Sequence, residues 1–412
     1  MEKYDLGIIG GGPAGYTAAF QARKKGLSVI LFEKDKVGGV CLNKGCIPTK
    51  TILHSAELYE EMKSASELGI FAENLSFDYE KIVERKDKVV ERLRKGLELA
   101  LKNTGVVVIN EAAKADGKNI LAGNKIYECD KIIIATGSEP KDFPNLRFDH
   151  EFILNSDDIL SLRKLPKSIV IIGSGAIGIE WARIFAAFDV EVAVVEACEH
   201  LLPLADIEVS KRVERIFKTK KIKIYLSNTV EKIENKSVVL KSGEVLTPEC
   251  VLLAVGRKPS EELLARQFDE TCIGDACGKI QLAHFAIKQA AKEIGNIEFD
   301  ETLVPSVVYG CPEIAWIGKR EQDLDEGSYK KSNLLISALG KSHCDNCTEG
   351  FIKILSQNGK IVGAHIVSKE ASALIQQITI AMQNNIAIDE LKKVCFAHPT
   401  YSEGIYESIN LI

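Results

Sequence analysis

Tyr4-Asp5-Leu6-Gly7-Ile8-Ile9-Gly10-Gly11-Gly12-Pro13-Ala14-Gly15 is an apolar run followed at once by Gly-x-Gly-x-x-Gly. The apolar part reads as a buried parallel strand. Gly10 permits the tight turn, Gly12 lets backbone approach a pyrophosphate, and Gly15 lets a helix pack closely on the strand. A helix is predicted over residues 16–25 and a second strand over 28–32, with Glu33 closing the unit. The helix would aim unpaired N–H groups at phosphates. Glu33 can accept hydrogen bonds from ribose hydroxyls.

The same unit recurs. A strand at 169–172 leads to Gly173, Gly175 and Gly178, then a helix over 179–188, a strand over 191–195, and Glu196. First glycine and closing acid are 23 residues apart in both copies. One glycine fingerprint can be merely a glycine-rich turn. Two copies with matching flanks indicate two dinucleotides on two Rossmann-like α/β domains. Glu196 would repel a 2′-phosphate and accept from a free 2′-hydroxyl, and no Arg stands among the four residues after it. NAD is therefore expected there rather than NADP.

Eight residues beyond Glu33 stands Cys41, and five further Cys46, in Gly39-Val40-Cys41-Leu42-Asn43-Lys44-Gly45-Cys46-Ile47-Pro48-Thr49-Lys50. A C-x4-C alone says little. Placed just past a dinucleotide site, it points to electrons passing between a cofactor and sulfur. Thiolate is the reactive form of Cys. Cys46 precedes a predicted helix with Pro48 in its first turn, whose N-terminus would favour the anion. Gly45 frees the loop to bring Cys41 within disulfide range.

Composition narrows the class. The 412 residues suffice for about three domains, and 46% hydrophobic with 27% charged residues describes an ordinary globular protein. With 58 acids against 53 bases and no basic block, nucleic acid is not an expected partner. No apolar run reaches membrane-span length. Met1 stands just ahead of the first strand, so no leader peptide and a cytoplasmic location are expected. Eleven cysteines in such a chain do not suggest a secreted disulfide framework. Cys129, Cys250, Cys272 and Cys311, in or beside hydrophobic strands, read as buried apolar residues. Cys272 and Cys277 read as structural. Cys344-x-x-Cys347 beside His343 lacks a fourth ligand for a closed zinc site and reads as a surface loop, so no metal is expected.

The predicted organisation is a first domain over 1–149 with a long amphipathic helix at 77–102, a second over 150–258, a return segment over 259–301, and a last domain over 302–412. The first two end alike, in Ala135-Thr136-Gly137-Ser138-Glu139-Pro140 and Val255-Gly256-Arg257-Lys258-Pro259. In the last, short strands alternate with turns, and Asn358-Gly359 is a hairpin signal. A nearly uncharged helix at 370–383 suits an oligomer interface, and a buried core helix fits the same pattern.

In these motifs, together with Gly274-Asp275, Leu282-Ala283-His284, residues 304–318 and His398-Pro399-Thr400-Tyr401-Ser402-Glu403, the chain resembles the flavin disulfide oxidoreductases of class I, and within them the dihydrolipoamide dehydrogenases. The resemblance covers nearly the whole chain. It implies FAD in the first domain, completed by the return segment, NAD in the second, and a C-terminal α+β dimerisation domain. It implies FAD contacts from Gly10, Gly12, Gly15, Glu33, Lys50, Ala113, Thr136, Gly137, Asp275 and Ala283. It implies NAD contacts from Gly173, Gly175, Gly178, Glu196, Val230 and Gly256, with Glu180 paired to Lys50 beside the flavin. By resemblance Cys46 faces the flavin and Cys41 exchanges with the substrate dithiol. A base is then needed, and histidine titrates near 6.5 in the reference state. His398 is the candidate, with Pro399 starting a helix and Glu403 in its first turns to orient the ring. In the family this His serves the other subunit of a homodimer. The implied reaction oxidises dihydrolipoamide, carried by a lipoyl-bearing acyltransferase or the glycine-cleavage lipoyl protein, and reduces NAD.

Two departures stand out. Only residues 260–271 separate Pro259 from Cys272, where the family usually has a far longer segment, and Phe396 stands where it often has a further His. The short segment motivates a second reading, a flavin-poor subunit that binds an acyltransferase core. Among relatives, glutathione and trypanothione reductases usually carry NADP-binding Arg residues that are missing here. Mercuric reductase ends in a Cys pair, whereas no Cys follows Cys395, and the transhydrogenases of this fold lack the dithiol.

Overall fold

The computed structural model describes residues 2–260 and 271–412. The first glycine unit forms β1 (Glu2–Ile9), α1 (Pro13–Lys24) and β2 (Val29–Phe32). β1 lies mid-sheet, parallel to β2 on one side and β6 (Lys125–Ile134) on the other. Its last four residues are buried, which is why they are apolar without alternation. β3 (Val107–Ile109) extends the parallel core beyond β2, while β4 (Ala113–Asp116) and β5 (Asn119–Ala122) fold back antiparallel onto β6. β17 (Thr271–Cys272) returns to pair with β6 in parallel. Between β2 and β3 run α2 (Gly39–Lys44), α3 (Cys46–Ser64) and α4 (Tyr79–Asn103). α4 starts two residues later than predicted because the Asp78 side chain caps it, accepting the Lys81 N–H.

The second unit repeats the plan. β8 (Ile153–Leu154), β9 (Ser168–Ile172), β10 (Glu191–Val195), β11 (Lys223–Tyr225) and β15 (Cys250–Leu253) form a parallel sheet in the order β11-β10-β9-β15-β8. α5 (Ala176–Ala187) follows the glycines, and α6 (Ile207–Thr219) is capped by Asp206. β12 (Val230–Glu234), β13 (Ser237–Leu240) and β14 (Val245–Leu246) make a small antiparallel sheet. The two similar domain-closing sequences meet: β7 (Ser138–Pro140) pairs antiparallel with β16 (Arg257–Pro259). Most of the stretch marked as short, residues 261–270, lies outside the described residues. After it, α7 (Ala283–Gly295) packs on α1.

The last part is a five-stranded antiparallel sheet, ordered β18 (Ser306–Val308), β19 (Glu313–Gly318), β22 (Lys360–Ser368), β21 (Phe351–Gln357) and β20 (Lys330–Leu335). Asn358 and Gly359 both take positive φ, 51° and 72°, as the hairpin signal requires. Short α8 (Gly340–Cys344) and α10 (Ile388–Leu391) lie in connections, with α9 (Ala371–Gln383) and α11 (Glu403–Asn410) covering the sheet. Alternation divides the strands. Ile352, Ile354, Ala364 and Ile366 pack with Leu374, Ile375 and Ile378 of α9 and Ile405 of α11. Phe351 and Val367 join the central core with Trp181 and Phe185 of α5. α9 thus spends most of its apolar surface on the core, leaving Ile380 outward. Among the described residues no helix is long and apolar enough to cross a membrane.

Candidate active site

Gly45 separates two helices, with φ −149° and ψ −106° between α2 and α3. In one unbroken helix, residues five apart would diverge by about 140° around the axis. The break brings Cys41 and Cys46 together as a disulfide with Cα atoms 4.7 Å apart. Cys46 is the first residue of the 19-residue α3, where the helix dipole favours a thiolate after reduction. The Asn43 amide ties this turn down, donating to the carbonyls of Val37 and Gly39 at 3.1 and 3.0 Å. One turn along α3, Lys50 Nζ donates to both oxygens of Glu180 at 2.9 and 2.8 Å. Glu180, on α5, also accepts the Tyr309 N–H at 3.1 Å, and Lys50 Nζ lies 4.7 Å over the Tyr309 ring. The bridge, both glycine units and the last sheet therefore converge here.

The two glycine cradles match atom for atom in their logic. Gly10 has φ 107° and a Cβ there would strike the Ala135 carbonyl, while one at Gly15 would strike the Gly10 carbonyl. Gly173 and Gly178 stand in the same relation to Ala254 and Gly173. Gly12 and Gly175 instead face room, the first meeting only Gly39 Cα at 3.7 Å and the second nothing within 4 Å. Glu33 accepts the Gly11 N–H at 2.8 Å and the Asp35 N–H at 2.9 Å. Glu196 accepts the N–H groups of Ser174 and Cys198, both at 2.9 Å, and the Ser174 hydroxyl at 2.6 Å. Burial would raise the Glu196 carboxyl, but the Ser174 and Cys198 hydrogen bonds outweigh it and hold the group below its ordinary range. Both acids remain acceptors with lone pairs to spare.

Around the first cradle, the buried Thr136 hydroxyl has no partner, and Gly137, φ 76°, faces open space. Asp275 accepts the Ser138 hydroxyl at 2.6 Å, and Arg257 Nε donates to that same hydroxyl at 2.8 Å. Ala113 is buried at the start of β4, and Ala283 begins α7. Around the second, Val230 is buried at the start of β12 and Gly256, φ 102°, faces open space. The open glycines, the unpartnered hydroxyl and the oriented acids fit a dinucleotide in each cradle.

His398 Nδ1 lies 2.7 Å from Glu403 Oε1, and Glu403 Oε2 accepts the Thr400 N–H at 2.8 Å. These two interactions, the Thr400 N–H first, lower the Glu403 carboxyl below its usual range. The expectation that Pro399 starts the helix is corrected: α11 begins at Glu403, leaving His398 in the preceding loop. Its side chain is 77% exposed. Among the described residues no hydrogen bond joins it to Cys41 or Cys46 within one chain.

The C-terminal cysteines also depart from expectation. Cys272 and Cys311 are half-buried rather than core. Cys344 is exposed at the end of α8, and Cys347 lies in the loop after it but half-buried, against Cys311. The His343 ring binds the Ser337 carbonyl, and among the described residues no cluster of three His, Cys, Asp or Glu is arranged for a metal. Sequence reasoning missed Asn43, Ser138, Ser174, Arg257 and Tyr309. Ser174 occupies the place of Gly11 in the repeat, so that signal was present. Tyr309 reaches Glu180 only through tertiary folding.

The pyridine nucleotide-disulphide oxidoreductase model matches residues 4–290, and the dimerisation domain of the same family matches 304–409. The chain belongs to the pyridine nucleotide-disulphide oxidoreductase family. Its members among characterised proteins include the dihydrolipoyl dehydrogenase of Bacillus subtilis, 34% identical over 451 aligned residues that cover 98% of this chain and 97% of the relative. That of Chlamydia pneumoniae is 34% identical, covering 98% and 95%. Both alignments are longer than the chain's 412 residues. In fold the chain is similar to LpdA from Mycobacterium tuberculosis, with TM-score 0.92, 23% identity and coverage of 100% and 99%. It is also similar to the HOCl-induced flavoprotein disulfide reductase RclA from Escherichia coli in its Cu(II) complex, with TM-score 0.88, 26% identity and full coverage of both chains. As a member of this family the chain is an NAD-dependent flavoprotein oxidoreductase whose cofactors are FAD and NAD. The C-terminal match supports a homodimer.

Proposed function

We propose that the protein is a dihydrolipoamide dehydrogenase of the cytoplasm, oxidising protein-bound dihydrolipoamide to lipoamide and reducing NAD+. The observation that carries the reading is the Cys41–Cys46 bridge at the start of α3, one turn from the Lys50–Glu180 pair. Relatives named for this activity along their whole length support it. The domain division is then 1–149 and 259–301 for FAD, 150–258 for NAD and 302–412 for dimerisation.

A thiolate of dihydrolipoamide attacks Cys41, and Cys46 leaves as a thiolate favoured by the α3 N-terminus. The second substrate thiol attacks the mixed disulfide, releasing lipoamide and leaving the Cys41–Cys46 dithiol. His398 takes the substrate proton, and Glu403 holds its Nδ1 so that Nε2 serves as base. Lys50, neutralised by Glu180, presents a fixed polar group to the cradle of the first glycine unit. Bound FAD supplies the route for the electron pair from the dithiol to NAD+. His398 serves the bridge of the other subunit, a reading supported by its large exposure within one chain. A lipoyl-bearing acyltransferase or the glycine-cleavage lipoyl protein delivers the substrate.

The test is NADH formation from dihydrolipoamide and NAD+ by the flavin-loaded protein. Cys46→Ser and His398→Ala should each abolish turnover. Mixed after subunit exchange, the two dead variants should recover about a quarter of wild-type activity, since half the dimers are mixed and hold one intact site. No recovery with proven exchange would place the base in the same chain. No turnover by flavin-loaded wild type would remove lipoamide as substrate. A purified protein that binds no flavin would favour the acyltransferase-binding reading.

A further inference from the structure

Cys311 and Cys347, 36 residues apart in the chain, have their sulfurs 3.9 Å from each other. Each sits on a separately secured turn. Cys311 lies between β18 and β19, two residues past Tyr309, where the buried Arg183 donates from Nη1 to the Pro312 carbonyl at 2.6 Å. Cys347 follows α8, with its own N–H on the Ser342 carbonyl at 2.8 Å. Its neighbour Asn346 donates to Glu67 at 2.8 Å. The two turns are thus anchored independently, and the sulfurs face each other at their meeting point. Nothing in the proposed lipoamide chemistry uses them.

We propose that Cys311 and Cys347 are a second redox pair, closing to a reversible disulfide by exchange with low-molecular-weight aliphatic disulfides. To form the bond the sulfurs need to approach from 3.9 Å to about 2.0 Å. Their surroundings divide the roles. The contact with Cys311 lowers the Cys347 thiol to about 7, with Lys369 helping against burial and the nearby Asp345 and Glu61. Cys311 is pushed up by the same contact and by burial, and Glu57 adds to this while Arg183 opposes it. Cys347 is the attacking thiolate and Cys311 the resolving thiol.

The Cys347 thiolate attacks the external disulfide, forming a mixed disulfide and releasing one small thiolate. Cys311 gives its proton to that thiolate or to water, and its sulfur attacks Cys347 Sγ, releasing the second small thiolate. The protein loses two hydrogens and the external disulfide becomes two thiols. The closed bond would staple the turn carrying Tyr309, whose N–H holds Glu180 against Lys50, to the connection that leads into β21.

The test uses full-length, flavin-loaded protein, reduced, freed of reductant and incubated with oxidised glutathione. Remaining thiols are alkylated in denaturant, and peptides are mapped by mass spectrometry. The expected result is joint loss of alkylation at Cys311 and Cys347 with a peptide cross-linked between them, separate from Cys41–Cys46. In Cys311→Ser, the glutathione adduct should persist on Cys347. Wild-type protein in which both stay alkylatable while Cys41–Cys46 oxidises, or in which Cys347 stops at the mixed disulfide, would overturn the proposal. The mapping reads wild-type protein directly, so it stands whether or not the variant folds, and its outcome is independent of lipoamide turnover.

Discussion

Glu57 lies two turns beyond Lys50 on α3. Burial first, and Glu313 second, push its carboxyl up to about 7 from an unfolded reference of 4.5, against the pull of Arg183. The folded chain therefore keeps a proton that the unfolded chain releases between these values. The stability linked to this proton is fully present below pH 4.5 and is lost as pH rises through about 7. Glu57→Gln should be close to neutral at pH 5 and stabilise by about 1–2 kcal/mol at pH 8. Urea unfolding at both pH values checks this, and an equal gain at pH 5 would remove the explanation. At this scale sequence was informative where a residue's role follows from its place in a local motif. Glu33 and Glu196 are of that kind, each closing a β-α-β unit whose geometry is set within its own residues. Tyr309, Arg183 and Glu57 are not. Their partners stand more than a hundred residues away, and nothing local marks them.

At the scale of elements, the glycine turn separates packing from ligand approach. Gly15→Ala drives a methyl into the Gly10 carbonyl and pushes α1 off β1, which should cost about 1–3 kcal/mol. Gly12→Ala meets only Gly39 Cα at 3.7 Å, so the fold should melt within a few degrees of wild type. Its methyl points where backbone must come close to a pyrophosphate, so bound flavin should be lost. Thermal melts together with the ratio of flavin absorbance to protein distinguish the two. A Gly12→Ala protein that keeps full flavin would show that this glycine does not face the pyrophosphate. Strands and helices were legible because their apolar periods are local, and the Asn358-Gly359 turn because only a few residues accept its backbone. The start of α11 was misread. Pro399 looks like an N1 residue, yet the chain reaches its first helical turn only at Glu403, whose carboxylate is engaged with His398 and the Thr400 N–H.

Across the whole molecule, an ionic cluster joins the last sheet to the second unit, beside the apolar contact of Phe351 and Val367 with α5. Lys353 is fully buried on the face of β21 opposite to α9, and its Nζ lies 2.9 Å from Asp206 at the start of α6 and 2.5 Å from Glu321. His365, fully buried across the ladder from Lys353, donates from Nε2 to the Lys319 carbonyl at 3.0 Å. Lys353→Met would leave Asp206 buried without its cation and should cost about 3–5 kcal/mol. Chemical denaturation checks this, and a loss below 1 kcal/mol would mean that water or a neighbouring base replaces the lysine. By itself the sequence determined the two nucleotide units, the dithiol between them and the antiparallel character of the last part. Each is written in contiguous residues whose spacing obeys strand, helix and turn geometry. Tertiary structure alone decided that the two domain-closing motifs pair with each other and that α9 spends its apolar face on the core. It also decided that the Tyr309 N–H holds Glu180 and that Cys311 meets Cys347. These are contacts between distant segments, chosen by which faces remain to be buried once the local elements have formed, and no short-range pattern records that choice.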